Sequence, residues 1–345
     1  MSSNEYKMAG GGQFDILHPS GSDGRRAYVD FVFGLEYLSV NSKLLRMMHA
    51  AMSAYGLSCL LVNGSNVERS IEAVKKGRLR PLVYLDLCGL PGDIFASMLR
   101  TVSEHGVYGL CDPKNIGWTY KAVSHPALER AGLPLPPTVM LKQTDADRDL
   151  TSEESARLGE RCVIKPSYGV AGLGAVIGVA PTKNEIAKAR EYNRKDDWLI
   201  QKMIRWGMCG ERQAYLRGYN ILGHRTLMWW NNEQGYWPLT WDDLRRYDLL
   251  PAVELIDRVA AVTGVEFFST EIAITAEVGR PGAERYCLID YVNDQCDIDP
   301  QAHPGRSPPE AWIRWICERL AEFTWRKKHG LPGDGEGSLY LTDTD

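Results

Sequence analysis

The stretch CVIKPSYGVAGLGAVIGV, Cys162 to Val179, decides how this chain reads. An apolar, β-rich run ends in Lys165-Pro166, glycines follow at 169, 172 and 174, and a second apolar run closes the segment. That order predicts strand, loop, strand. A lysine at a strand end fixes an ammonium, and Gly169, Gly172 and Gly174 let backbone N–H groups close over an anion such as a nucleotide phosphate. The segment alone also has a plain reading, because a lysine after a β-run is usually a solvated strand end and such a glycine loop is usually a turn.

On the C-terminal side, Thr182 is placed to cap a helix over 183–194, with Glu185 completing a capping box, and DWLIQKMI (197–204) reads as a short strand. On the N-terminal side, a helix over 118–131 runs to Gly132, after which prolines steer the chain into an extended segment. Further upstream, YVDFVF, SCLLV, PLVYLDL and GVYGLC alternate with helix-like stretches at 41–55, 66–76 and 93–104, which predicts a small parallel sheet. This Rossmann-like lobe, residues 28–115, has no G-x-G-x-x-G after its first strand, which argues against a dinucleotide. Two of its strand ends carry Asn63-Gly64-Ser65-Asn66 and Asp86-Leu87-Cys88-Gly89, residues that suit a substrate loop or an ordinary βα turn. After 204, the strands QAYLRGYNIL, HRTLMWW, FFSTEIAIT and RYCLIDYVN and helices over 251–263 and 308–328 read as an α+β lobe ending near 330. Residues 1–27 and 331–345, rich in glycine and polar residues, are expected to be unstructured.

With 345 residues, the chain can bury full cores in two or three lobes. A net charge of −4 gives no support for non-specific binding to nucleic acid or to an anionic membrane surface. The basic cluster Lys75, Lys76, Arg78 and Arg80 reads as a solvated helix end. No apolar run approaches the ~18 residues of a membrane helix, and the N-terminus lacks a charged-then-apolar signal, so a soluble, cytoplasmic protein is the expectation. Eight cysteines without a C-x-x-C or close Cys/His spacing read as reduced, buried, small hydrophobes.

From GWTYKAVSHPALERAGLPLPP to CLIDYVNDQCD, over roughly residues 116–300, the order of parts resembles the ATP-grasp ligases, the superfamily of D-alanine:D-alanine ligases and glutathione synthetases. In those ligases a first phosphate-contacting lysine opens a helix that ends in an A-G-L-P turn, as Lys121 does here. The resemblance implies an α/β and α+β chain with the ATP-grasp fold, in which a Rossmann-like lobe precedes two α+β lobes, 116–204 and 205–330, that clasp ATP. It implies that Lys121 and Lys165 meet the α and β phosphates and that Gly169, Gly172 and Gly174 close over the β and γ phosphates. Gln201, Lys202, Met203 and Ile204 would form the hinge that reads adenine, and Glu211 would hold the ribose. The family usually has a glutamate where Gln201 stands.

Glu271 in FFSTEIAIT and Asp290 and Asn293 in CLIDYVN would be ligands for Mg2+. A carboxylate on a mostly apolar strand is costly unless a cation or donor meets it, and magnesium shared with a triphosphate takes hard oxygen ligands. The family pattern is acid, one residue, then Asn, whereas two residues separate Asp290 from Asn293. Either a bulge brings both to one side, or Asn293 pairs with Asp294 and Asp290 points away.

The activity implied is carboxylate–amine ligation through an acylphosphate, with release of ADP and phosphate and with small-molecule partners, an amino acid or peptide among them. A kinase of the same fold and a non-catalytic ATP-binding protein are the alternatives, and homodimer formation stays open. No G-x-S-x-G and no G-x-x-x-x-G-K-[ST] is present. Arg212 and Arg225, placed with Lys165 in the catalytic set, and Arg217 are candidates to hold a substrate carboxylate or the acylphosphate. Strand alternation leaves the faces of Arg217 and Arg225 open. The segment MWWNNEQGYWPLTW, with Trp229, Trp230, Trp237 and Trp241, either walls a substrate pocket or packs in a core.

Overall fold

The computed structural model describes residues 27–35, 43–88, 93–110, 116–145, 147–169, 172–231, 235–275, 285–298, 307–333 and 337–341. Residues 1–26, expected to be unstructured, lie outside these. The elements run β1 (Ala27–Gly34), α1 (Lys43–Ala54), β2 (Cys59–Val62), α2 (Val67–Lys75), β3 (Leu79–Asp86), α3 (Ile94–Glu104), β4 (Tyr108–Gly109), α4 (Lys121–Arg130) and β5 (Thr138–Leu141). Next come α5 (Ser152–Leu158), β6 (Cys162–Pro166), β7 (Val176–Val179), α6 (Lys183–Arg190), β8 (Trp198–Lys202), β9 (Met208–Cys209), β10 (Arg212–Gln213), β11 (Tyr215–Ile221) and β12 (His224–Asn231). The series ends with β13 (Gly235–Pro238), α7 (Trp241–Arg246), α8 (Leu250–Thr263), β14 (Phe267–Ile274), β15 (Tyr286–Asn293), α9 (Glu310–Lys328) and β16 (Leu339–Tyr340). They fall into two compact units. The first takes the described residues within Met1–Pro113, Ile221–Gly223 and Gln295–Gly337, and the second those within Lys114–Asn220, His224–Asp294 and Ser338–Asp345.

In the first unit the β-rich runs pair in parallel in the order β2-β1-β3-β4, with Phe31 beside both Cys59 and Val83. Phe31, Val32 and Phe33 are wholly buried, as in a parallel strand covered on both faces. α2 packs with α3 and α1 with α9, the grouping that right-handed crossovers over this strand order require. The terminal helix α9, expected in the last lobe, packs instead with α1 against β1 and β3. Trp325 of α9 meets Tyr55 at 6.4 Å, and Lys328 pairs with Asp30 at 3.0 Å. The strand ends carry turn chemistry. Asn63 Oδ1 accepts from Ser65 N at 2.9 Å, Asn66 Oδ1 from Asn63 N at 2.8 Å and Asp86 Oδ1 from Cys88 N at 3.0 Å.

The second unit has two larger sheets. Four strands pair antiparallel in the order β5-β8-β6-β7, and Leu158, Ile186 and Ala189 of α5 and α6 share a core with Ile164, Trp198 and Ile200. The larger sheet runs β13-β12-β11-β14-β15, with β16 beside β12. One of its faces packs Leu216, Leu227, Trp229, Ile272 and Leu288 on Leu255, Ile256 and Val259 of α8 and on Leu128 of α4. Thr182 caps α6 by accepting from Glu185 N at 3.4 Å, but the expected box is half made, because Thr182 N donates to Ala180 O at 2.8 Å. Complete boxes form at Thr151/Glu154 and Thr240/Asp243. Among the described residues no disulfide forms and no helix is long and apolar enough to cross a membrane.

Part of the tail expected to be frayed is a strand. Arg225 and Thr226 pair in parallel with Leu339 and Tyr340, and Leu341 is buried in the α8 core. Leu341→Ala should therefore cost about 2–3 kcal/mol, the penalty for a buried leucine replaced without full collapse, read from urea unfolding of the full chain. A change within 0.5 kcal/mol, a size ordinary for surface positions, would show that the tail contributes nothing to the core.

Candidate functional site

Helix α4 begins without a cap from its own sequence. Ser167, just past β6, supplies one. Its carbonyl accepts from Lys121 N at 2.9 Å and its Oγ from Ala122 N at 2.9 Å, while its own N–H donates to Asp197 O at 2.7 Å. Rings of Tyr120 and Tyr168 pack at 5.1 Å over the same junction. The start of α4 and the end of β6 are thereby fixed together, and their two buried lysines converge. Lys121 Nζ pairs with Asp290 Oδ1 at 3.2 Å. Lys165 Nζ donates to Ile289 O at 2.9 Å and lies 5.5 Å from the Tyr291 ring centroid. Burial pushes the Lys165 ammonium down to about 8, with Lys121 adding to the effect and Asp290 opposing it. Burial also works against the charge on Asp290, but Lys121 and Lys165 outweigh it and hold that carboxyl below its ordinary value.

Cross-strand register brings the acids together. Glu271 lies opposite Asp290, Ser269 opposite Asn293 and Ile272 opposite Leu288, so β15 carries an extra residue on each side of Asp290. These are the bulges that the spacing of Asp290 and Asn293 requires, and they put Glu271, Asp290 and Asn293 on one face. Glu271 is ion-paired to Arg217 Nη2, and its Oε2 accepts from Tyr215 OH at 2.7 Å. Arg217 in turn lies 4.4 Å from the Trp230 ring centroid and donates to Tyr236 OH at 3.0 Å, while its buried Nε–H has no acceptor among the described residues. Burial disfavours the Arg217 charge, and Glu271 more than compensates, raising its pKa well above the ordinary value. Burial followed by Glu271 pushes the Tyr215 hydroxyl up.

Below Lys165 runs a buried chain of hydrogen bonds. Gln201 Nε2 donates to Thr138 Oγ1 at 2.9 Å and to Tyr291 OH at 2.6 Å, and Thr138 Oγ1 donates to Pro136 O at 2.8 Å. The Tyr291 hydroxyl is 2.7 Å from His125 Nδ1. Tyr291 OH can donate to Nδ1 of a neutral His125 while its oxygen accepts from Gln201. Burial, then Lys165 and Arg157, push this imidazole down to about 4.

Other expected site residues are placed elsewhere. Arg225 shares a sheet face with Leu227 and Trp229 and pairs with Asp257 of α8, on the side away from Glu271. Arg212 pairs with Asp243 at 3.5 Å with nearly half its side chain exposed. Glu211 is exposed in the tight turn joining β9 to β10. In the hinge, Lys202 N donates to Pro137 O and Met203 N to Arg161 O, leaving Ile204 as the hinge residue whose N–H has no acceptor among the described residues. The glycine loop joins β6 and β7 as expected, with Val170 and Ala171 outside the described residues. Gly169 packs close to Pro166 and Leu173, Gly172 has φ 74°, and Gly174, at φ 77°, would drive a Cβ to 2.5 Å from the Tyr192 ring. Sequence reading missed Ser167, Tyr215, Tyr291 and Trp206, and it set Arg217 behind Arg212 and Arg225.

Glu271, Asp290 and Asn293 offer two carboxylates and an amide oxygen on neighbouring strands, a donor set that fits magnesium shared with phosphate oxygens. Among the described residues no group of three His, Cys, Asp or Glu forms a self-sufficient metal cage. Lys121 pairs with Asp290 and also acts on Asp196, Lys165 is held by Ile289 O, and Arg217 pairs with Glu271, so cations and acids alternate around this face of the sheet.

No family model and no curated protein matches the sequence. Solved structures do. A RimK domain protein ATP-grasp from Sphaerobacter thermophilus superposes with TM-score 0.59 at 15% identity, covering 85% of this chain and 98% of that one. The ATP-grasp ligase PsnB, complexed with minimal precursor, Mg and ADP, gives 0.55 at 13% identity, covering 87% and 98%. D-alanine--D-alanine ligase from Bacillus anthracis, complexed with ATP, gives 0.56 at 13% identity, covering 87% and 99%. The chain has the ATP-grasp fold.

The neutral His125 makes a pH prediction. Its folded value of about 4 lies below the ordinary 6.5, so between those values the unfolded chain binds the extra proton and stability falls as pH falls. At 1.36 kcal/mol per unit the full effect is about 3 kcal/mol. Comparing urea unfolding at pH 7 and pH 4.5, His125→Gln should lose less stability than the parent chain by most of that amount. Equal losses would show that His125 is not held neutral.

Proposed function

We propose that this chain is an ATP-dependent ligase that phosphorylates a substrate carboxylate and joins the activated acyl group to an amine. The observation that carries the proposal is the convergence of Lys121, Lys165 and Arg217 on a bulged strand pair that also presents Glu271, Asp290 and Asn293. Cations beside hard oxygen ligands suit a metal-bridged polyanion. A triphosphate suits the fold, and two of the similar structures hold ATP or Mg with ADP.

Lys121 and Lys165 would meet the phosphates, beneath the loop of Gly169, Gly172 and Gly174, and Ile204, next to Gln201, Lys202 and Met203, would offer its N–H to the base. Phosphoryl transfer depends mainly on positioning and charge neutralisation, which buried, immobilised cations supply without reorganisation. Magnesium, when bound, would neutralise phosphate charge, held by Glu271, Asp290 and Asn293. A carboxylate oxygen attacks the γ phosphorus as the bond to the β-bridging oxygen breaks and ADP leaves. The amine then attacks the acyl carbon, the carbon–oxygen bond to phosphate breaks, and the amine loses a proton to solvent. Of Arg212, Arg217 and Arg225, the three arginines the sequence offers for holding substrate oxygen, Arg217, on the face of Glu271, takes that part.

The test is phosphate release from ATP with amino acids and dipeptides supplied singly and in pairs. Dependence on two components supports ligation. ADP and a stable phosphorylated product without free phosphate would make the protein a kinase, and ATP binding without substrate-dependent turnover would make it non-catalytic. Lys165→Met, which keeps most of the buried volume, should lower kcat by roughly 10²–10³-fold, the scale of losing one preorganised charge-stabilising group, with thermal stability retained. Unaltered kcat would remove Lys165 from the site.

A further inference from the structure

The aromatic residues around Arg217 form a continuous ladder that the proposed phosphoryl chemistry does not use. Trp206 meets Tyr215 edge-on at 5.0 Å, Tyr215 meets Trp230 at 5.6 Å, and Trp230 meets Tyr236 at 6.3 Å. Its inner end is bonded to the charged centre, through Tyr215 OH on Glu271 and the Arg217 guanidinium over Trp230. Its outer end is open. Trp206 is 41% exposed, although its backbone is fixed by an isolated bridge to Thr275, with Gly207 N donating to Ile274 O and Gly207 O accepting from Ala214 N. A large ring held out to solvent on a fixed backbone is a preorganised stacking surface, because little freedom remains to be lost when something covers it.

The other tryptophans show that packing does not demand this arrangement. Trp229 and Trp237 on the opposite face pack in or against the α8 core, and Trp241 lies at the start of α7. Of the four tryptophans from 228 to 241, Trp230 alone joins the ladder.

Resting on the ligase reading, we propose that the carboxylate substrate carries an aromatic side chain, which stacks on Trp206 while its carboxylate turns toward Arg217. Trp206 is then a specificity-determining residue. The ladder leads from solvent to the group that holds the reacting oxygen, so a flat apolar group lying along it is joined directly to the reaction centre.

The test uses hydroxylamine as a general nucleophile, with phenylalanine, tryptophan, leucine and alanine as carboxylate donors and hydroxamate formation as the readout. The parent chain should prefer the aromatic donors over leucine by roughly three- to tenfold in kcat/KM, the scale of one aromatic contact. Trp206→Ala should erase that preference with ATP affinity, from calorimetry without donor, held within about twofold, and Trp206→Phe should keep most of it. No aromatic preference in a chain that does form hydroxamates would overturn this inference and leave the ligase reading standing. So would weakened ATP binding in Trp206→Ala with selectivity unmoved, which would assign the ring to the nucleotide. No hydroxamate or phosphate from any donor would refute the ligase reading, and the inference would fall with it.

Discussion

Two buried ammonium groups converge on one stretch of β15, and the second unit is arranged around that fact. Lys121, from the first turn of a helix, pairs with the Asp290 carboxylate, while Lys165, from a strand end, bonds the Ile289 carbonyl beside it and acts on Asp290 through space. Bringing like charges together in a poorly solvated place is unfavourable, and the cost appears in the lowered Lys165 ammonium. The arrangement persists because the backbone holds it. Ser167 ties the helix start to the strand end through two hydrogen bonds, so the backbones that carry the two lysines cannot separate without unpairing those N–H donors.

The two bulges in β15 do more than orient Asp290. Ile289 is the extra residue on one side, with no opposite number on β14, and its carbonyl is the one that receives Lys165 Nζ. On the other side, Asp290 O accepts from the Thr270 hydroxyl at 2.6 Å, so a side chain answers a carbonyl where the ladder is irregular. Local failure of the ladder thus supplies the acceptor for one lysine, while the Asp290 carboxylate beside it supplies the partner for the other. A regular strand would have turned Asn293 to the opposite face from Asp290 and spent the Ile289 carbonyl on its neighbour.

This explains what the sequence could and could not reveal. Lys121, Lys165, Glu271, Asp290 and Asn293 stand out because charged residues beside glycines or within apolar runs need a reason, and their order along the chain supplies one. The irregular spacing of Asp290 and Asn293 even pointed to the bulge. The arginines were not legible in the same way. Strand alternation separates faces only once register is known, and the turn at Leu222 and Gly223, both at positive φ, is what puts Arg217 with Tyr215 and Tyr219 and Arg225 with Leu227 and Trp229. Ser167 was hidden for a different reason: a cap supplied from 45 residues away leaves no local signature. The position of α9 likewise depends on long-range packing, since its sequence reads as a terminal helix wherever it docks.

Gln201 shows how a departure from a family pattern can be internally consistent. As an amide it donates twice, to Thr138 and to Tyr291, in a buried chain that ends on His125. A carboxylate at the same place would accept, drawing the tyrosine proton toward itself and leaving Nδ1 of His125 to find another donor. It would also put a third negative charge near Lys165, in a region where Asp290 and Glu271 already act on that ammonium. The amide donates to both partners and adds no further negative charge beside the lysines.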